Sequence, residues 1–298
     1  MSANTESKWG ADDTIGAMNY VVKEKLPSLL KGVETGKIYD LSQVTGVGAP
    51  QLVPFMPPYV QSMFCTADNT RRLLHDAMGV KDGVGIMLER VEMTMHVGTH
   101  IDALGHFAVE DEMYNGSCVA DCAGDWGLHK LGIDDCPPIV TRGVVIDVAG
   151  YKEVEHLGGG EVIGPGDLEA ALAKQESEIR EGDVVLVRTG WSKYYMVDND
   201  TYVGAEPGLG LEAARWLSDQ KVVAIGSDNM GVEVLPGEDS TRGFPVHQHL
   251  IVEQGVYIIE NMQLDEPCAD KRYDFPFIVL PMKYKGATAS PVRPIAIV

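Results

Sequence analysis

Residues 96–106 read HVGTHIDALGH, which places three histidines and one carboxylate within a short stretch. The residues just before it are apolar or β-branched, so the stretch is predicted to continue a strand, in which every second side chain points to one face. His96, His100 and Asp102 share that parity, and Gly98 on the same face has no side chain to fill the space between them. The pattern therefore predicts that two imidazoles and one carboxylate converge on one point.

Two neutral imidazoles and a carboxylate are ligands typical of a divalent transition metal. A helical alternative, with His96 and His100 one turn apart, is disfavoured because Val, Gly and Thr separate them. A single histidine in a strand is usually a satisfied polar residue, but this combination with a glycine in the gap favours a metal site. His106 lies just beyond and is predicted to work as a base beside the metal rather than as a ligand.

The composition is that of an ordinary globular protein, with 298 residues, 45% hydrophobic and 23% charged. A net charge of −20 without any cluster of Lys and Arg argues against a nucleic-acid partner. No apolar run approaches the roughly 18–20 residues of a membrane span, and the N-terminus lacks the features of a signal peptide. We therefore expect a cytoplasmic protein that acts on a small molecule, with no membrane partner and with reduced, unpaired cysteines.

No repeat or long polar linker divides the chain, so we predict one domain over residues 1–298 with an irregular N-terminal arm over about residues 1–35. Helices are predicted from Asp167, as N-cap, and from Leu211. Strands are predicted at residues 37–41, 144–148, 184–188 and 222–225. The later strands alternate with helices and predict parallel crossovers, so the fold class is α/β with a mixed sheet.

A second segment with candidate ligands is FPVHQHLIVEQG, residues 244–255. It predicts a short helix with proline in its first turn and glycine at its stop, followed by a strand that ends at Glu260. The positive end of the helix dipole favours the neutral imidazole that a metal needs. His247 and His249 are both candidates, and either is equally compatible with a surface polar role. Glu260 ends an apolar run, so it is either a ligand or a paired buried carboxylate.

These segments together resemble the metal-dependent cyclase/hydrolase family that includes bacterial kynurenine formamidase, isatin hydrolase and trans-dienelactone hydrolase. The family signature is similar to H-x-G-T-H-x-D-x-x-x-H, which residues 96–106 match. Weaker similarities follow in the expected order: WGADD at 9–13, GAMN at 16–19, MYNG at 113–116, RTGW at 188–191, GSD at 226–228, PVH at 245–247 and GATASPV at 286–292. One departure is Leu104, where the small formamidases carry proline.

The resemblance implies a swivelling β/β/α fold with mixed sheets and peripheral helices, and a homo-oligomer, either a dimer or a tetramer. It implies these metal ligands: His96, His100, Asp102, His247 and Glu260. Asp102 bridges to a second metal if two ions are present, and His249 competes with His247 for the histidine position. The ion is Zn²⁺ or Mn²⁺, and His106 is the acid/base.

The predicted function is hydrolysis of an amide or a lactone/ester carbonyl in a small cyclic or aromatic substrate, through metal-activated water. The alternative is a metal-dependent lyase, dehydratase or cyclase that acts through an enolate on a small carboxylic substrate. A serine hydrolase is disfavoured because residues 226–228 do not form a G-x-S-x-G elbow. Four aromatic residues near the motifs are candidates for stacking on substrate, with a core role as the alternative for each: Trp9, Phe107, Tyr114 and Trp191.

Overall fold

A mixed sheet of nine strands organises residues 7–298, the part of the chain that the computed structural model describes. The strands are β1 (Ile38–Asp40), β2 (Val60–Cys65), β3 (Leu88–Glu92), β4 (His100–Asp102), β5 (Glu112–Met113), β6 (Ser117–Cys118), β7 (Ala123–Gly124), β8 (Gly127–Leu128), β9 (Ile139–Asp147), β10 (Val162–Ile163), β11 (Val184–Arg188), β12 (Gly208–Leu209), β13 (Ala224–Ser227), β14 (Tyr257–Glu260), β15 (Asp274–Val279), β16 (Ala289–Pro291) and β17 (Ile295–Ile297). The α-helices are α1 (Leu26–Lys31), α2 (Ala67–Met78), α3 (Val119–Cys122), α4 (Val148–Tyr151), α5 (Pro165–Gln175), α6 (Asn199–Gly204), α7 (Leu211–Asp219), α8 (Pro245–His247) and α9 (Asp265–Ala269). Helix α8 continues as a π-helix over Gln248–Glu253.

The strand order in the large sheet is β1-β17-β15-β9-β11-β13-β14-β4-β16. Strands β9, β11, β13 and β14 are parallel, and their neighbours on both sides are antiparallel. Helices α5 and α7 lie in the connections between parallel strands, so the predicted crossovers and the α/β class with a mixed sheet are confirmed.

The two faces of the sheet bury alternate residues of the parallel strands, because successive side chains point to opposite faces. On one face Val144, Val185 and Ile258 pack against α5, α7 and α8 with its π-helical continuation. On the other face Val145 and Leu186 pack against segments from both ends of the chain. Within residues 7–298, no helix has the length and hydropathy needed to cross a bilayer. All five cysteines are free, as predicted.

The prediction of one strand through the histidine motif is wrong for the residues before position 100. Strand β3 ends at Glu92, and the residues between it and β4 form turns. Gly98 has φ +69°, a left-handed conformation that glycine adopts readily. A Cβ added there would lie 1.9 Å from Thr45 Oγ1. Glycine is therefore required for the turn and for the close approach of Thr45, rather than to leave room between ligands.

Helix α5 also differs from its prediction at its start. Its N-cap is Gly164, and Asp167 lies in the first turn, where its carboxylate accepts a hydrogen bond from the backbone N–H of Gly164 at 3.0 Å. Asp167 thus stabilises the helix terminus from inside the helix, where an acidic group also suits the dipole. Helix α7 begins at the predicted Leu211.

Among residues 7–298, strands β2 and β3 pair only with each other, and α2 lies between them in the chain; we call residues 60–92 the outer hairpin. Every residue of β3 and all but the last residue of β2 are exposed. The outer hairpin therefore stands apart from the two buried faces of the large sheet.

Candidate metal centre

Strand β4 brings two of the motif residues to one face of the sheet. His100 and Asp102 are two positions apart in β4, so their side chains share a face, as the parity argument predicted for this part. His100 lies directly opposite Glu260 of the antiparallel strand β14. Because opposed side chains of antiparallel strands are neighbours, this register alone sets an imidazole beside a carboxylate.

The candidate ligand atoms converge around the Asp102 carboxylate. Its Oδ1 lies 3.0 Å from His96 Nδ1 and 3.4 Å from His100 Nε2. Glu260 contributes Oε2 at 3.2 Å from His100 Nε2 and Oε1 at 3.1 Å from His247 Nε2. The His247 Nε2 atom is 3.9 Å from Asp102 Oδ2. The five residues predicted as ligands are thus brought into one cluster, four of them buried.

The cluster fits a divalent cation because three of its buried polar atoms have no hydrogen-bond partner in the described part of the protein. His100 Nε2 and both carboxylate oxygens of Asp102 are buried, and they have no hydrogen-bond partner in residues 7–298 despite the short distances. Burying unpaired polar atoms is costly, and buried charges in proteins are normally paired or bound to metal. Imidazole nitrogens and carboxylate oxygens are the donors that zinc and manganese accept.

Hydrogen bonds on the far side of each ring aim the histidines at this cluster. His100 Nδ1 donates to the backbone oxygen of Gly98 at 2.8 Å, which leaves Nε2 facing Asp102. His247 Nδ1 lies 2.5 Å from Glu233 Oε1, and the same oxygen accepts the backbone N–H of His247 at 3.1 Å. Such partners fix the tautomer and orientation of a metal-binding histidine.

Glu233 is a residue that the sequence did not single out. It is 1% exposed, and it approaches the cluster only through the fold, from the loop after β13. Thr288 has a similar place, since its Oγ1 lies 2.9 Å from His96 Nε2. Thr288 belongs to the GATASPV segment, which was noted only for its resemblance.

The ligand atoms divide into two triads, each with its atoms within 4.8 Å of one another: His96, Asp102 and His106, and His100, Asp102 and Glu260. Asp102 belongs to both, which is the arrangement that a bridging carboxylate requires. His96 and His100 fall in different triads, yet both lie beside Asp102 Oδ1, and the expectation that they share one ion stays a prediction. His106 also lies with His96 and Asp102 rather than outside the ligand set.

His106 has the electrostatic environment of a neutral base. Burial, opposed by the charge of Asp102 and reinforced by nearby His96 and His247, lowers its pKa to about 4. Its ring lies against His96, with centroids 4.0 Å apart, and meets Phe107 edge-on. No hydrogen bond holds its side chain within the described part of the chain. At neutral pH it is therefore free to accept a proton.

A cavity of about 440 Å³ opens beside the cluster. His96, His106, His247 and Glu260 form its polar end. The remaining walls are almost wholly apolar: Leu52, Phe55, Met56, Thr94, Phe107, Ala108, Met230, Gly231, Leu235 and Phe244. Its volume suits a small organic molecule. Among the described residues, no Lys or Arg lines it.

Of the four aromatic residues predicted to contact substrate, Phe107 lines the cavity and the other three do not. Trp9 packs edge-on against Tyr20, with ring centroids 5.0 Å apart. Tyr114 is 2% exposed, and its hydroxyl donates to Asp13 at 2.5 Å, which fastens the N-terminal arm.

Trp191 is buried one layer behind the cavity, in a cluster with Met230, and its indole N–H donates to the backbone oxygen of Tyr202 at 3.1 Å. Tyr114 and Trp191 are buried, and Trp9 is partly buried against the core. Phe244, which precedes the PVH motif, lines the cavity and was not predicted.

His249 lies away from the cluster. Its Nδ1 is 2.7 Å from Glu253 Oε2, and its Nε2 is 2.9 Å from the Ser218 hydroxyl. Both ring nitrogens are occupied, so of the two competing histidines only His247 has a nitrogen among the candidate ligands.

Comparison with known proteins gives relatives over most of the chain. The sequence profile of a family described as "Putative cyclase" matches residues 39–234. Kynurenine formamidase of Bacillus cereus is 27% identical over 213 residues, which cover 69% of this chain and 78% of that protein. Isatin hydrolase of Roseibium aggregatum is 28% identical over 138 residues, 44% of this chain and 51% of that protein.

Solved structures extend the likeness to the whole fold. A crystal structure described as a novel cyclase superposes with a TM-score of 0.86 at 29% identity, and covers 99% of this chain and 98% of its own. A structure described as a potential metal-dependent hydrolase with cyclase activity has a TM-score of 0.56 at 20% identity, with 88% of this chain and 98% of its own covered. The predicted cyclase-like fold is confirmed by these superpositions.

Proposed function

This chain belongs to the cyclase family, and from that premise we propose that it is a metal-dependent hydrolase of an amide or ester carbonyl in a small, uncharged aromatic or cyclic substrate. The observation that carries the proposal is the set of buried, unsatisfied ligand atoms around Asp102 at the polar end of an apolar cavity. The names of the relatives, kynurenine formamidase and isatin hydrolase, support hydrolysis.

The ion would be held by the imidazoles and carboxylates of the cluster: His96, His100, Asp102, His247 and Glu260. In such a site a divalent ion activates water near pH 7 and polarises a carbonyl. The sharing of Asp102 between two triads supports room for a second ion. Zinc and manganese both accept this donor set.

His106 supplies the proton transfers. Because its ring is neutral at pH 7 and faces the cavity, a ring nitrogen can take a proton from the attacking water and return it to the leaving nitrogen or oxygen. A positioned acid/base of this kind contributes roughly 10²–10⁴-fold. Its contact with His96 and Phe107 holds the ring between the cluster and the apolar wall.

The wall of the cavity supports an uncharged substrate. The charged side chains among its lining residues belong to the cluster itself, and no Lys or Arg of residues 7–298 joins them. Away from the metal end, a substrate carboxylate would be desolvated without a Lys or Arg side chain to pair with, which is unfavourable. Phe107 and Phe244, whose rings meet edge-on at 5.9 Å, offer a flat ring an aromatic surface.

The test is a substrate panel with the zinc- and the manganese-loaded protein, in ¹⁸O water. The panel pairs uncharged cyclic amides and unsaturated lactones with N-formyl aromatic amino acids that carry a carboxylate. We expect turnover of the uncharged members, incorporation of ¹⁸O, and loss of activity with a chelator. Turnover that survives chelation contradicts the metal role. A product without label favours the alternative lyase or cyclase reaction.

A further inference from the structure

Glu206 is a buried carboxyl group that the proposed chemistry does not use. It lies between α6 and β12, is 1% exposed and belongs to neither ligand triad. One oxygen accepts the backbone N–H of Met230 at 2.7 Å, and the other has no hydrogen-bond partner among residues 7–298. Burying a carboxyl group is unfavourable. We therefore expect the buried Glu206 side chain to stabilise the residues that it contacts.

What it contacts is residues 229–235, which we call the wall segment. Met230, Gly231 and Leu235 of this segment line the cavity, and Glu233 of the same segment orients His247. The wall segment thus serves both the substrate side and the ligand side of the site.

Glu206 forms hydrogen bonds with the wall segment near both of its ends. Its side chain holds the N–H of Met230, and its backbone exchanges two hydrogen bonds with Leu235, at 2.8 and 3.1 Å. Between these points Val232 has φ +60°, a conformation unfavourable for a β-branched residue, which persists only where the surroundings impose it. A Cβ added to Gly231 would lie 3.0 Å from the free oxygen of Glu206, so the fit is close.

We propose that Glu206 is a positioning residue, which fixes the wall segment and thereby sets both the cavity wall and the orientation of His247. The effect of Glu206 on the substrate cavity rests on the proposed function. Its effect on the orientation of His247 rests on geometry alone. Burial raises the pKa of Glu206 well above its ordinary value, with nearby Glu233 and Glu260 adding to the effect. A glutamine, which keeps an acceptor for Met230, is therefore a near match for the neutral acid.

The experiment compares Glu206→Gln with Glu206→Ala, with Asp183→Ala as the matched control. Asp183 is also buried, but it precedes the first residue of β11, whereas Glu260 of the cluster is the last residue of the parallel strand β14, and it pairs with Arg142 at 2.7 Å. Zinc affinity is measured by competition with a chelator, and KM and kcat are measured on the best uncharged substrate. Folding is checked by circular dichroism.

We expect Glu206→Ala to weaken zinc binding by up to about 10-fold, the lower end of what loss of a direct partner of a ligand costs, because Glu206 acts on His247 only through Glu233; it should also raise KM more than it lowers kcat. Glu206→Gln should stay within about twofold of the wild type, and Asp183→Ala should alter thermal stability without changing zinc affinity. If Glu206→Ala does not fold, Gly231→Ala replaces it, with a raised KM as the expected result.

The proposal is overturned if the folded Glu206→Ala variant binds zinc as tightly as the wild type, or if Glu206→Gln is damaged as much as Glu206→Ala. An unchanged KM in a folded Gly231→Ala variant also contradicts it. Failure of the wild type to hydrolyse any substrate contradicts the proposed function instead, and the zinc measurement still decides the role of Glu206.

Discussion

Strand pair β4–β14 and strand pair β2–β3 have opposite environments. Both are short antiparallel pairs in which apolar residues stand next to polar or charged ones. Every residue of β4 and β14 is buried, whereas β2 and β3 are exposed on both faces. The difference lies in their neighbours, since β4 is flanked by β14 and β16 but β2 pairs with β3 alone. Burial, and with it the perturbed chemistry of the cluster, comes from the sheet rather than from the strand.

The outer hairpin exposes large apolar side chains that a monomer seldom leaves in water. Phe64, Leu73, Met78 and Met87 are 72%, 63%, 72% and 63% exposed. An isolated two-stranded hairpin is only marginally stable in water. Contiguous apolar patches on a protein surface mark interaction sites. Residues 60–92 carry nearly balanced charge in a chain of net −20, so like-charged copies repel least there. We propose this surface as the contact of the homo-oligomer that the family resemblance implies.

The largest expected effect is that of Asp102→Asn, since Asp102 belongs to both triads. The variant should lose its metal and its activity down to background, because a neutral amide cannot balance the ion. Asp76→Asn in the outer hairpin, an exposed aspartate, is the matched control and should change neither. Elemental analysis and turnover are the measurements. Full metal content in Asp102→Asn would contradict the ligand role.

His106→Ala is expected to keep its metal and to lower kcat by roughly 10²–10⁴-fold, because it removes the proton-transferring group. His75→Ala in the outer hairpin is the control. Loss of metal from His106→Ala would instead assign His106 to the triad with His96 and Asp102 as a ligand. Normal turnover would remove it from the mechanism.

Stability distinguishes the two regions directly. Ile101→Ala, at a fully buried position of β4, should lower the free energy of unfolding by about 2–5 kcal/mol through cavity formation. Leu73→Ala in the outer hairpin should change it by less than about 0.5 kcal/mol in a monomer. Denaturant unfolding at several protein concentrations is the measurement. If Leu73→Ala lowers the free energy of unfolding by more than this, and by an amount that depends on protein concentration, a second copy of the chain covers the outer hairpin. A small decrease at every concentration would contradict the proposed contact.

The last expected effect is on the pH dependence of metal affinity. Burial lowers the pKa of His100, but the adjacent Asp102 and Glu260 raise it to about 10. Below that pH the ion must displace a proton, so affinity should fall as pH falls, by about tenfold per unit for each proton released. Calorimetry between about pH 6 and pH 8 measures this. Affinity that is independent of pH would show that the ion does not bind through His100.

The sequence predicted the architecture where periodicity acts locally. The crossovers around α5 and α7, and the strand that ends at Glu260, follow from alternation and helical spacing. The strand through His96 failed because a turn at Gly98 delivers the same histidine by another route. The sequence thus predicted correctly that the side chains of His96, His100 and Asp102 converge. The strand parity on which that prediction rested holds only for His100 and Asp102.

Tertiary contacts decided what sequence spacing left open. His247 and His249 are indistinguishable by position in the helix, but the partners of each ring separate them. Glu206 and Glu233 carry no local pattern, because their roles depend on chain segments that meet only in the fold. Trp191 and Tyr114 lie beside site-like motifs in sequence, yet their hydrogen bonds place them in the core.

The most direct test is a crystal structure of the zinc- or manganese-loaded protein with anomalous diffraction recorded at the metal edge. The account predicts an anomalous peak about 2.0–2.2 Å from an Asp102 carboxylate oxygen, with His100 Nε2 or His96 Nδ1 completing its coordination. A fully loaded protein whose peak lies elsewhere, with the Asp102 carboxylate unbound, would contradict the account.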